Sequence, residues 1–476
     1  MNKSSIIIAS SGIQFGTSGA RGLVIDFTPT VCSAFSYAFI SVLKKRYSFD
    51  KIALAIDNRP SSYCIAKYCA AALSDLGIET VYYGVIPTPT PALAYQAMKD
   101  NIPGIMVTGS HIPYDRNGLK FYTPEGEITK ADEQEILLED VLCSQPKAYP
   151  ELQVNKKAAE SYCSRYISLF DNTVFKGARI GIYEHSSAGR DFYHYIFKAL
   201  GADVISLGRC DDFIPIDTEA VAEDDRAKAK EWARKYNLDA IFSTDGDGDR
   251  PLLADENGEW LRGDVLGFLA AEALSIEALA IPINCNTSIF ESKRFDEVLL
   301  TKIGSPYVIE KINLVKKHYS RVAGFEANGG FILGSELLFN GTKIDALPTR
   351  DALLPVIVIL FAASKKNSYI SKMVSELPRR FTLSDRVKDI PNEHSLNILN
   401  LLSKDPSHFF RNVGFTNYNV AKVNELDGLR IIFDNNDIIH LRASGNAPEL
   451  RCYVESDDER RAKSIIDSTL KYISKI

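Results

Sequence analysis

Apolar positions along this chain fall into short runs separated by polar turns, and the runs recur in a fixed order. Lys51-Ile-Ala-Leu-Ala-Ile56 reads as a buried strand, followed by a polar turn, a helical stretch over 62–76 and a second strand over 79–83. The unit returns at 179–183, with a Ser/Gly-rich turn, a helix to Leu200 and a strand over 203–207. It returns more loosely at 279–283, where Asn286-Thr-Ser starts a helix and 297–300 supplies the returning strand. Strand–helix–strand order with short connections predicts βαβ units and mainly parallel sheets. The period is too long for a solenoid, so the copies read as three related α/β domains.

From about residue 371 the pattern changes. Apolar strands dominate, among them 428–433 and 437–441, and Asn435-Asn436 between them is a hairpin signal. A charged helix over 457–475 follows, and together these predict a smaller α+β domain. The expected division is 1–150, 151–256, 257–370 and 371–476. The fold class is α/β, with three related domains of mixed, mainly parallel sheets plus the C-terminal α+β domain.

At 476 residues the chain is too long for one ordinary core, which agrees with that division. A net charge of -6 gives no basic footprint for nucleic acid, though a local cationic pocket stays compatible with it. No apolar run approaches the length that spans a bilayer. Ile6-Ile-Ile-Ala9 is too short for a signal-peptide core. Eight cysteines without CxxC pairing suggest reduced thiols and a cytoplasmic protein.

Four stretches carry candidate chemistry. After the apolar run Gly104-Ile-Met-Val107 comes Thr-Gly-Ser-His-Ile-Pro-Tyr-Asp-Arg-Asn-Gly-Leu-Lys120, a loop bearing a hydroxyl (Ser110), an imidazole (His111) and an amine (Lys120). A serine at a strand end beside a base suits nucleophilic or phosphoryl-carrying chemistry. A plain polar turn is the competing reading. In Ile241-Phe-Ser-Thr-Asp-Gly-Asp-Gly-Asp-Arg250, glycines let Asp245, Asp247 and Asp249 converge, and oxygen-only ligation suits Mg²⁺. An EF-hand loop is disfavoured because its sixth position is Arg250 rather than glycine.

The other two are softer. Arg442-Ala-Ser-Gly-Asn-Ala-Pro-Glu-Leu-Arg451 sets two arginines, Ser444 and the Gly445-Asn446 turn around one concavity, which fits a phosphate dianion. Glu326 and Asn328, in Phe325-Glu-Ala-Asn-Gly-Gly-Phe331, are short polar side chains suited to adjacent sugar hydroxyls. Near the N-terminus, Phe15-Gly-Thr-Ser-Gly-Ala-Arg-Gly22 could bring Arg21 close to an anion.

In this order the loops resemble those of the α-D-phosphohexomutase family, over essentially the whole chain from Phe15 to Arg451. The resemblance implies four domains around a central cleft. It implies Ser110 as phosphoryl carrier, completing a Mg²⁺ shell with Asp245, Asp247 and Asp249. Arg21, Lys120 and His111 would be catalytic, and Arg250 would steady the phosphoserine. Glu326 and Asn328 would read sugar hydroxyls, while Arg442, Ser444, Gly445, Asn446 and Arg451 would hold the distal phosphate. The implied reaction is an isomerase's intramolecular phosphoryl transfer through a hexose 1,6-bisphosphate.

Three departures bear on the substrate. Asn328-Gly-Gly330 stands where many members have Ser-Gly-His or Ser-Ala-His, and a common third-domain lysine is replaced within Ile283-Asn-Cys-Asn286. Asn446 replaces a more usual threonine. With Leu347-Pro-Thr-Arg-Asp351, the sugar loop looks most like the bacterial branch interconverting mannose 6-phosphate and mannose 1-phosphate for nucleotide-sugar (GDP-mannose) synthesis. Glucose or glucosamine phosphates by the same mechanism, or a metal-dependent sugar phosphatase, are the alternatives. The expected partners are small sugar phosphates, with no nucleic acid or membrane, and both monomer and homodimer stay open.

Overall fold

The computed structural model describes residues 2–475, apart from 17–18, 87–88, 147, 417 and 445–447. Each recurring unit builds the same sheet. In the first, the order is Glu79–Val85, Lys51–Ile56, Gly104–Val107 and Arg116–Thr123. In the second it is Asp203–Arg209, Arg179–His185, Ala240–Thr244 and Pro251–Ala254. In the third it is Glu297–Thr301, Ala278–Pro282, Val322–Phe325 and Phe331–Leu333. The first three strands of each run parallel, and the fourth turns back antiparallel.

The antiparallel part extends further than the apolar pattern indicated. The first sheet continues through Ala20–Leu23 and Gln14–Phe15, and the third through Leu347–Asp351, so each parallel core carries an antiparallel edge. The helices Ser62–Asp75 and Arg190–Ala199 make the first crossover in the first two sheets. In the third only the short helix Ser288–Glu291 does so. The third strand of every sheet is buried along its whole length, as a central strand covered on both faces must be.

That third strand decides where the polar loops go. Val107 runs on to Ser110, Thr244 to Asp245 and Phe325 to Glu326, so the three loops leave equivalent strand ends. The carboxyl ends of parallel strands are where ligands collect in such sheets.

The C-terminal domain is a five-stranded antiparallel sheet with the order Phe381–Lys388, Glu449–Ser456, Ile438–Ala443, Leu429–Phe433 and Val420–Asn424. The hairpin turns at Asn435-Asn436, with Asn436 left-handed (φ 64°), a conformation that asparagine tolerates. The domain has its own apolar core, supplied partly by the helices Asn392–Lys404, Pro406–Val413 and Glu459–Ile473. Only the last of these helices was expected.

The second and third sheets share one core with a face of the first, and the apolar helix Leu353–Lys366 lies in it. Polar contacts join the C-terminal domain to the third sheet. The Thr287 amide donates to Glu455 Oε2 at 3.1 Å, and the Ile303 amide donates to Asp427 at 2.8 Å. Six of the eight cysteines are buried, which makes them small core residues. Among the described residues, no helix is long and apolar enough to cross a membrane.

Candidate active site

Ser110 is fully buried and left-handed (φ 55°), a conformation that costs energy for a residue with a Cβ. The surroundings hold it there. Its amide donates to Thr108 Oγ1 (2.8 Å), and that hydroxyl donates to Asp57 Oδ2 (2.7 Å). Arg59 then clamps the loop from behind. It donates to the carbonyls of Ser110 (2.8 Å), Pro113 (2.7 Å), Arg116 (2.9 Å) and Ile112, with its guanidinium 4.1 Å from the Phe213 ring centre. Asp57 and Arg59 were not singled out in the sequence. Their one signal is position, since they end the first strand of the first unit.

Ser110 Oγ donates to Asp245 Oδ2 at 2.8 Å. The three aspartates are fully buried, and one oxygen from each lies within 4.8 Å of the others. Lys120 Nζ reaches Asp247 Oδ2 (2.7 Å) and Asp249 Oδ2 (2.8 Å). Burial, then Asp247 and Asp249, pushes the Asp245 carboxyl well above the usual carboxylate range. Burial acts on Asp247 the same way, but Lys120 overrides it and holds that carboxyl low. Gly246 keeps the loop close to its neighbours, because a Cβ there would stand 2.9 Å from the Phe213 ring and 3.2 Å from the Ser110 carbonyl.

A hard divalent cation fits this loop. Asp247 Oδ1 and Asp249 Oδ1 are buried without a hydrogen-bond partner, and orphaned carboxylate oxygens are costly unless a cation takes them. The donor set is oxygen only, which favours Mg²⁺ over softer metals.

Cations crowd the same place. Arg21 sits on Ala20–Leu23, paired with Gly118 of the strand that carries Lys120. Burial, then Arg250 and Arg350, lowers its pKa to about 10, which leaves it charged. Arg250 Nη1 donates to His111 Nδ1 at 2.8 Å, so that nitrogen is the unprotonated one. Burial, Arg250, Arg21 and Arg451 hold the imidazole well below its ordinary pKa, and it is neutral. Ser110 Oγ lies 3.5 Å from the same nitrogen. So many positive charges around one hydroxyl create a site for a multiply charged anion.

The two remaining candidate loops carry further polar groups. Glu326 is buried and lies 3.4 Å from Arg350 Nη1. Asn328 spends its side-chain oxygen on the Gly330 amide (3.0 Å), leaving its NH₂ for a ligand. Arg442 and Arg451 are cross-strand partners, with Arg442 Nε 2.9 Å from Asp427 and Ser444 buried beside them. Arg451 lines a small pocket with Glu219 and Tyr453, and its charge helps to hold the His111 imidazole neutral. Gly445 and Asn446 lie outside the described residues. Arg350 was read only as part of Leu347-Pro-Thr-Arg-Asp351, without a role of its own, and Glu219 was missed as an isolated charge without a motif. His185 ends the strand Arg179–His185 and bonds the Thr244 carbonyl at 2.8 Å, just before Asp245.

Known proteins match this arrangement. Three family models, all described as phosphoglucomutase/phosphomannomutase, match: alpha/beta/alpha domain I over 12–140, alpha/beta/alpha domain III over 262–381 and the C-terminal domain over 412–471. The phosphomannomutase of Salmonella muenchen is 56% identical over 467 residues, 98% of this chain and 97% of its own. That of Sinorhizobium fredii is 40% identical over 476 residues, 97% of this chain and 99% of its own. A putative phosphomannomutase from Thermus thermophilus superposes with a TM-score of 0.75 at 19% identity, covering 98% of this chain and all of that one.

Proposed function

This chain belongs to the phosphoglucomutase/phosphomannomutase family, and on that premise we propose that it is a phosphomannomutase, an isomerase interconverting mannose 6-phosphate and mannose 1-phosphate. Identity of 56% to a relative of that name, along 98% of the chain, carries the substrate class. The observation that carries the mechanism is the 2.8 Å contact between Ser110 Oγ and Asp245.

In this reading Ser110 carries the phosphoryl group at the junction of the first two domains. Asp245, Asp247 and Asp249 hold Mg²⁺, which when bound supplies charge neutralisation for the phosphoryl oxygens. Arg250 steadies the phosphoserine from its place beside His111, and Arg21 offsets charge that spreads over the transferring oxygens. The substrate's own phosphate docks on Arg442, Ser444, Gly445, Asn446 and Arg451. Its free hydroxyl then faces Ser110.

The P–O bond to Ser110 breaks as the P–O bond to the sugar forms. The sugar hydroxyl gives up one proton and Ser110 Oγ takes one back, so the step needs no outside acid or base. Lys120 and the neutral His111 flank that exchange and relay the proton. The product, a hexose 1,6-bisphosphate, turns over in the cleft and returns its other phosphoryl to Ser110. Glu326 and the Asn328 amide read hydroxyls in both orientations.

Four domains, 1–150, 151–256, 257–370 and 371–476, frame the cleft in this proposal. Their main sheets run over 14–123, 179–254, 278–351 and 381–456, which supports the division. A cytoplasmic enzyme, monomeric or homodimeric and feeding nucleotide-sugar synthesis, fits the free thiols and the sugar-phosphate substrate. The test is turnover of mannose 1-phosphate, glucose 1-phosphate and glucosamine 1-phosphate with Mg²⁺ and catalytic bisphosphate. Mannose 1-phosphate is expected to show the highest kcat/KM. Preference for glucosamine 1-phosphate, or release of free phosphate at the turnover rate, would refute the assignment.

A further inference from the structure

Arg350 lies on Leu347–Asp351, the last strand of the third sheet, and is 2% exposed. No role assigned above uses it. Its Nη2 is 2.8 Å from Asp249 Oδ2 and its Nη1 is 3.4 Å from Glu326 Oε2. One planar guanidinium therefore spans the metal loop of the second sheet and the sugar loop of the third. A buried charge of this kind is tolerated only with its counter-charges in place.

The sequence makes room for it. A Cβ at Gly330 would stand 2.7 Å from Arg350 Cδ, 2.8 Å from Cγ and 3.2 Å from Cβ. A side chain at position 330 and Arg350 in this pose exclude each other, so Gly330, one of the departures from the family pattern, is what admits the arginine. The backbone behind the arginine is fixed too. Asp351 accepts from Tyr162 (2.6 Å) and Tyr166 of the helix Lys157–Ile167 and from the Leu353 amide (3.0 Å).

The contacts have a direction. Lys120 and Arg350 both face Asp249 Oδ2, and Oδ1 stays buried without a hydrogen bond, with only Arg250 Nε near it at 3.7 Å. The oxygen left for a cation is thus chosen by the two side chains that hold the other. The same guanidinium sets the Glu326 carboxylate.

We propose that Arg350 is a positioning residue that locks the metal loop to the sugar loop, so that presenting Asp249 to Mg²⁺ and Glu326 to the sugar are one arrangement. This rests on the functional reading above for the identity of the sugar, though not for the metal arm. It follows that Mg²⁺ and sugar phosphate strengthen each other's binding through this residue, and by linkage the factor is the same in both directions.

The test is calorimetric titration of Mg²⁺ into the full-length protein, with and without mannose 1-phosphate, for wild type, Arg350→Met, Arg350→Lys and Gly330→Ala. Arg350→Met should weaken Mg²⁺ binding by about tenfold and abolish the mutual enhancement. KM for the sugar phosphate should rise more than kcat falls. Arg350→Lys should not restore the enhancement, because a single ammonium cannot reproduce the planar fork whose separate nitrogens, Nη2 and Nη1, face Asp249 and Glu326. Gly330→Ala displaces the arginine without removing any charge, so it should act in the same direction even where Arg350→Met fails to fold. Wild-type Mg²⁺ affinity and enhancement in Gly330→Ala, with only a lowered melting temperature, would overturn the proposal. A wild-type protein inactive on every hexose phosphate, yet losing Mg²⁺ affinity in Gly330→Ala, would sink the functional reading alone.

Discussion

Ser110 Oγ and Asp245 Oδ2 meet at 2.8 Å although 135 positions separate them in the chain. The meeting follows from the repeated topology. Each residue leaves the carboxyl end of the third strand of its own sheet, and the two sheets stand so that equivalent ends face each other. The strained φ of Ser110, held by Thr108, Asp57 and Arg59, aims the hydroxyl at the metal loop rather than back into its own strand.

If the hydroxyl carries the phosphoryl group, Ser110→Ala should lower interconversion of the 1- and 6-phosphates by at least about a thousandfold. Uptake of label from a labelled hexose bisphosphate should vanish with it. Thermal unfolding should stay cooperative and close to wild type, because the loop is held by backbone contacts to Arg59 that alanine keeps. Residual labelling of the variant at the wild-type level would remove Ser110 from the reaction.

Metal removal tests the aspartate cluster separately from activity. Without a cation, burial and two neighbouring carboxylates oppose ionisation of Asp245. Neutralising it by Asp245→Asn should therefore leave the melting temperature of the metal-free protein no lower than wild type. The rise in melting temperature that Mg²⁺ gives wild type should be lost, since ligands stabilise only what they bind. Equal stabilisation of both proteins by Mg²⁺ would mean that the ion binds elsewhere.

Arg59 makes a third case, in which stability and chemistry should fall together. Its side chain and that of Asp57 are fully buried and 3.3 Å apart. Arg59→Met leaves the carboxylate unpaired and the loop carbonyls without donors, a loss of about 3–5 kcal/mol. Arg59→Lys keeps the charge but not the fork, and should recover part of the stability with little of the kcat. Urea unfolding and steady-state kinetics on the same preparations check both. A lysine variant with full activity would show that loop geometry does not depend on the guanidinium.

These residues also mark where the sequence stops being legible. Ser110, the three aspartates and Glu326 announce themselves because each sits in a glycine-containing loop directly after an apolar strand. Asp57, Arg59 and Arg350 do not. Asp57 and Arg59 pair with each other, but the loop they hold lies far along the chain, the carbonyl of Ser110 being 51 positions from Arg59, and the carboxylates beside Arg350 belong to other loops. The strand pairing of 14–23 with 116–123 was hidden for a related reason. Periodicity identifies a strand, whereas three helices and three further strands intervene before its partner. In the C-terminal domain, the helices Asn392–Lys404 and Pro406–Val413 were read as part of a strand-rich stretch, because they lie between the strands Phe381–Lys388 and Val420–Asn424.

Two histidines outside the reaction should set the acid limit of the fold. His185 and His440 are buried, and each bonds a backbone carbonyl through Nε2, that of Thr244 (2.8 Å) and that of Asp427 (2.6 Å). Burial lowers both to about 4, against 6.5 in the unfolded chain. Below pH 6.5 the unfolded chain therefore binds protons that the folded one refuses. Their stabilising effect is fully present above pH 6.5 and is lost as pH falls through 6.5 towards 4. The slope approaches about 1.4 kcal/mol per pH unit for each histidine. His440 stacks on Tyr453 and stands apart from the aspartate cluster, so it can be tested alone. His440→Gln keeps a donor for the Asp427 carbonyl and removes the titration. Urea unfolding between pH 7 and 4.5 should then show a shallower loss of stability than wild type by up to one proton's worth. Parallel curves for the two proteins would mean that His440 is protonated in the fold, and that the acid limit is set by other groups.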